Sequence, residues 1–335
     1  MRRILIMILT VAISRLPVTA HDSDLPLWHG QFTIGGFLVF HFEMVGTDPK
    51  TPGFHKTTIP TFLMPVKLRF AGGITTDPSK PTPNESTGVP ESPLNLVLAS
   101  PLFQPADFFA GGHFLGKTQY IDAYQRANFF NHLDAGHDFH VLLQNPPSVL
   151  PVTIDVPLSA GFAIPFGAGT QGFVDLDFLK SKLRPWMTVA GTAALPIFLL
   201  ADTKMTEPGG RHVGASHGFS GKQTYIIANF TPQHDILGLT HEVGEWLADP
   251  YKESATPPWL NPENDKCSRD MEIADPINGL NHAFTMETTL GRPVTFHLQD
   301  LAFLSWFAHR IPSTSAGGLF SFWDNLTGPP PICTQ

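Results

Sequence analysis

Two stretches near the start of the chain, "QFTIGGFLVFHFEMVG" from Gln31 and "TTIPTFLMPVKLRF" from Thr57, are dense in phenylalanine and β-branched residues and bounded by Gly and Pro, so each reads as a strand. Between residues 73 and 93 the pattern collapses into a proline, serine and threonine tract with almost no apolar content, which reads as an exposed loop. "KTQYIDAYQRANFFNHL" then sets Ile121, Tyr124, Phe129 and Leu133 near helical spacing and predicts an amphipathic helix. "FHVLLQ" and "VTIDV" follow as short strands.

From residue 173 the order of elements becomes specific. "FVDLDFLKSKLRPW" predicts a helix, "PIFLLA" a buried strand and "QTYIIANF" another strand. "TPQHDILGLTHEVGEWLA" predicts a further helix, opened by Thr231 and Pro232 as N-cap and first helical residue. Asp249-Pro250 ends it, because a residue before proline is pushed out of helical geometry. A backing helix, strands and then a helix carrying HExxE is the order found in zincin metallohydrolases. The fold class expected is therefore α/β (α+β): a zincin-like mixed sheet over residues 173–249, preceded by a β-rich part over 21–172 and followed by a C-terminal subdomain over 250–335 that continues the same unit.

Composition narrows the partners. With 335 residues and 42% hydrophobic content the chain can bury a full core, while a net charge of -8 without a basic block excludes a nucleic-acid surface. At the N-terminus, Arg2 and Arg3 precede an apolar run from Ile4 to Ile13 and a small-residue site at Val18-Thr19-Ala20. This is the pattern of an export signal cleaved near Ala20, and the run is too short to span a bilayer. The two cysteines, Cys267 and Cys333, are then an even count in an exported chain, which favours one disulfide over two free thiols.

The candidate chemistry lies in "THEVGEWLADP". His241 and Glu245 stand one turn apart, about 40° in projection at 3.6 residues per turn, so both side chains can close on one cation. Glu242 lies beside them, where the glutamate of HExxH enzymes takes a proton from water activated by the ion. Val243, Trp246 and Leu247 form the opposite, buried face, while Asp249 continues the ligand row and His234 precedes it. A carboxylate in place of the second histidine adds negative charge, so calcium or manganese competes with zinc as the bound metal. A third ligand comes from downstream, where Glu263, Asp265, Asp270, Glu272, Asp275 and His282 cluster; Asp249 and Glu272 are the first choices. A solvated acidic helix face is the plain alternative for HExxE alone. His212 and His217, in "GGRHVGASHGFSG", either line the cleft or sit in a flexible exposed loop, which the glycines favour.

"QYIDAYQRANFF", "HDILGLTHEVGEWLADP", "EIADP" and the tail around "LQDLAFLSWF" and "GLFSFWDNL" together resemble a group of secreted bacterial proteins with an HExxE and DP signature, distantly similar to the plant phosphate-induced, EXORDIUM-like proteins. The resemblance implies export, a zincin-like helix and a stapled tail, but supplies no substrate. Two functions follow. One is a secreted metal-dependent hydrolase of peptidase type, with metal on His241, Glu245 and a downstream carboxylate and Glu242 as general base. The other is a non-catalytic secreted or cell-envelope binding protein, in which the same acids form a structural or vestigial site. The partner is a peptide or an extracellular polymer in either case.

Overall fold

A computed structural model describes residues 24–81, 91–167, 169–331 and 333–334; the export signal expected over residues 1–20 and residues 82–90 of the polar tract lie outside them. The architecture is mixed α+β, with strands predominating. Its centre is a sheet whose main strands are β1 (Thr61–Phe70), β2 (Val152–Val156), β3 (Leu195–Ala201), β4 (Ala215–Ser220) and β5 (Gln223–Phe230), in the spatial order β2-β1-β3-β5-β4. The first four run parallel and β4 is antiparallel to β5 at the edge. All of β3 is buried, as expected for a central strand covered on both faces.

Alternation along the strands divides the core in two. Leu195, Ile197 and Leu199 of β3 and Ile226, Ala228 and Phe230 of β5 face one apolar cluster, whereas Phe198, Leu200, Tyr225 and Ile227 face the other. Among the described residues five helices accompany the strands: α1 (Pro93–Ala99), α2 (Tyr120–Asn128), α3 (Leu176–Ala190), α4 (Leu237–Ala248) and α5 (Leu304–Phe307). Helix α3 covers the second face through Leu176, Leu179, Leu183 and Met187, and α4 covers the first through Leu239, Val243, Trp246 and Leu247. Burying a side chain such as Leu247 contributes about 2 kcal/mol. The Trp246 indole N–H also donates to Thr224 Oγ1 at 3.0 Å, tying α4 to β5.

Several sequence expectations meet local corrections. "QFTIGGFLVFHFEMVG" is a hairpin rather than one strand, with Leu27–Ile34 pairing antiparallel to Leu38–Val45 across Gly35 and Gly36, both at positive φ. "TTIPTFLMPVKLRF" is likewise split: Gly53–Ile59 pairs with His137–Leu143, and after Pro60 the chain enters β1. Phe173–Asp175 ends a strand, and Asp175 caps α3 by accepting from the Phe178 amide at 2.6 Å. Helix α4 starts at Leu237 rather than next to Thr231, because residues 231–235 form a turn closed by the Asp235 amide on the Thr231 carbonyl. Its end agrees with expectation, with Asp249 out of helical geometry before Pro250.

The segments outside the sheet share its first core. Trp28, Phe42, Tyr120, Tyr124, Trp259, Phe303 and Phe322 all belong to the same apolar cluster as α4. Cys267 and Cys333 are joined in a disulfide. It fixes the tail to the hairpin of Ala255–Asn261 and Lys266–Asp270, which leads directly into Glu272 and Asp275. Among the described residues no helix is long and apolar enough to cross a membrane.

Candidate metal centre

Helix α4 packs on one face of the sheet against β5 and β4, and beside it opens a cleft of about 500 Å³. Its lining includes His241, Glu242, Glu245, Lys252, Glu272 and Asp275. The helix supplies three of these because positions i, i+1 and i+4 turn toward the edge strand while Val243, Trp246 and Leu247 are consumed by the core. Glu242 and Glu245 are only 7% and 3% exposed, so their charges require compensation from within the protein or from a bound cation.

Compensation comes from two sides of Glu245. On one side His241 Nε2 lies 3.1 Å from Glu245 Oε1 and 3.5 Å from Asp275 Oδ1. On the other, His217 Nδ1 lies 3.4 Å from Glu245 Oε2. The His217 ring N–H and the His217 backbone N–H both donate to Glu242 Oε2, at 2.8 and 2.7 Å, which leaves Glu242 Oε1 as the oxygen available to another partner. Glu272 reaches the same cluster, with Oε1 held by Lys252 Nζ at 3.0 Å.

The protonation pattern follows from this crowding. Burial works against charge on His217, but hydrogen bonds to Glu242 and Glu245 outweigh it and raise the ring to about 9. Burial likewise opposes charge on His241, and the facing Glu245 and Asp275 carboxylates overcome it, holding His241 well above the usual histidine value. Glu245 sits well below the carboxylate range because the attraction of His241 and the hydrogen bonds of both histidines exceed its burial penalty. Glu272 is pushed up to about 8, first by burial and then by the charge of Glu245. The cluster draws positive charge inward.

A divalent ion fits this donor set. His241, Glu245 and Asp275 each present a ligand atom within 4.8 Å of the others. Tetrahedral zinc with N and O ligands separates donor atoms by about 3.4 Å, close to the 3.1 and 3.5 Å around His241 Nε2. Glu245 Oε1 is buried and makes no hydrogen bond of good geometry, even though His241 Nε2 is so near. His241 Nε2 and Glu245 Oε1 thus form a close ion pair whose two atoms also stand at ligand spacing.

The predicted residues divide accordingly. The His241–Glu245 pair stands together with Glu242 beside it. Asp275 is the downstream carboxylate that stands beside the His241–Glu245 pair. Asp249 is turned away, its carboxylate accepting from the Glu253 and Ser254 amides at 3.0 to 3.2 Å. Glu272 belongs to the His217 side of the cluster. His217 was expected in an exposed loop; it is 3% exposed and sits on β4. The overlooked signal is Gly221-Lys222, a two-residue turn between β4 and β5 that makes "GASHGFS" the first arm of a hairpin. His212 and His234 line the cleft wall, and Glu263 pairs with Arg211 at 3.0 Å on its rim. His282 stacks on Trp323. No family model, curated protein or solved structure matches the chain.

Proposed function

We propose that the protein is an exported metal-dependent hydrolase of zincin type, acting on a peptide or another extracellular polymer. The observation that carries this reading is the convergence of His241 Nε2, Glu245 Oε1 and Asp275 Oδ1 on the floor of an open cleft, with Glu242 adjacent. Zinc suits the spacing, and manganese or calcium remains compatible with so carboxylate-rich a set. Such an ion supplies Lewis acidity toward a carbonyl oxygen and lowers the pKa of water. Glu242 takes the proton from the attacking water through Oε1, while the two His217 bonds keep the carboxylate oriented through Oε2.

Glu242→Gln tests the reading. Hydrolysis of a peptide library should fall at least 100-fold while metal content stays at the wild-type level; full activity in this variant would overturn it. One observation favours the non-catalytic alternative, a structural or vestigial site in a binding protein: Glu242 is already held twice by His217. Under that reading Glu242→Gln changes neither metal content nor partner binding. We also propose kinship with the secreted HExxE and DP proteins, because His241, Glu242, Glu245, Glu272 and Asp275 of the resembling stretches line the cleft.

A further inference from the structure

On the His217 side of Glu245, two buried polar atoms lie close together without a hydrogen bond between them. His217 is locked by its Nδ1 hydrogen bond to Glu242, which leaves Nε2 as the atom that points onward. Nε2 is sealed from solvent, has no hydrogen-bond partner, and lies 3.9 Å from Glu272 Oε2, which is also sealed and also without a partner. That distance is too long for a hydrogen bond. Two ligand atoms at about 2.1 to 2.3 Å from one cation can lie that far apart when the angle between them is wide. Lys252 occupies only Glu272 Oε1, so the second oxygen stays free. Glu245 also offers an atom within 4.8 Å of these two residues. The Glu242–His217 bond has a recognised use as well, since a carboxylate on the far ring nitrogen orients a histidine that ligates metal.

We infer that the cleft floor holds a second divalent cation, bound by His217 Nε2, Glu272 Oε2 and Glu245, so that the Glu245 carboxylate bridges two ions. The inference rests on the assignment of the first ion to His241, Glu245 and Asp275. Its geometry is that of a paired site, in which each oxygen of one carboxylate serves a different metal. Glu242 gains a second task, aiming His217, which the glutamine variant preserves because its amide oxygen still accepts from the ring.

The test is metal stoichiometry of the full chain, loaded with zinc alone, desalted and measured by plasma mass spectrometry. The wild type should hold two equivalents, and Glu272→Gln and Asp275→Asn should each hold one. One equivalent in the wild type overturns the pair. If Asp275→Asn then removes that equivalent, the single-ion hydrolase reading stands; if Glu272→Gln removes it instead, the first assignment falls as well. No metal in the wild type sinks both. A second measurement needs no variant: wild-type protein with two equivalents of manganese should give an exchange-coupled paramagnetic resonance spectrum, and a simple six-line signal from isolated ions would refute the bridge.

Discussion

Asp249 shows how a residue on a ligand row can serve the backbone instead. Its carboxylate closes the turn after α4 through the Glu253 and Ser254 amides. Asp249→Ala should therefore cost about 1 to 3 kcal/mol in denaturant unfolding by leaving buried amides unpaired, while metal content stays unchanged. Asp202 offers a pH test away from the cleft. Burial without a compensating charge raises it to about 6 from an ordinary 3.8. An acid raised in the folded state costs stability when ionised, so the penalty is absent below pH 3.8 and grows as pH rises through about 6. The full shift corresponds to about 3 kcal/mol, and partial exposure reduces it to about 1 kcal/mol. Asp202→Asn should raise the melting temperature at pH 8 and leave it unchanged at pH 3.5, and asparagine tolerates the positive φ found there. The His241–Glu245 pair was legible because its geometry is local to one helix. Asp275 was not, because which of several loop carboxylates arrives depends on the hairpin and the short 3-10 turn of Asp275–Ile277.

At the scale of elements, α4 packs tightly against the C-terminal part of the chain at Gly244. A Cβ on Gly244 would lie 2.7 Å from Leu301 Cδ2, and Leu301 is fully buried. Gly244→Ala therefore sets overpacking of about 1 to 3 kcal/mol against a helix-propensity gain of about 1 kcal/mol. A net loss in calorimetric stability is expected, and an unchanged or higher melting temperature would show that Leu301 yields. The parallel strands of the central sheet were readable from apolar runs, whereas β4 was read as a loop; the end of α4 was readable from its proline. Its start was not, since the turn of residues 231–235 also carries helix-opening residues and is held by tertiary contacts, including Asp235 accepting from the His297 backbone at 3.0 Å. The hairpin at Gly35-Gly36 and the break at Pro60 were missed because a continuous apolar run hides a change of pairing partner.

For the whole molecule, one apolar cluster runs from Leu25 to Phe322 through all three predicted parts, so the site is assembled on a shared core. The disulfide closes a span of 66 residues across it. In the chain-entropy account a loop of that size restricts the unfolded state by about 4 kcal/mol. Replacing both Cys267 and Cys333 by serine should lower urea stability by about 2 to 4 kcal/mol, read from the shift in midpoint. The even cysteine count made this pairing legible, whereas its position beside the cleft was set by the hairpin register of Leu260 opposite Cys267.

That position gives the staple an unequal hold on the two halves of the donor set. His217, His241 and Glu245 ride on β4 and α4 and are braced by the sheet, but Glu272 and Asp275 follow directly from the crosslinked hairpin. A thiol reductant would slacken the second group and spare the first. On the proposed metal reading, opening the disulfide would therefore weaken metal binding.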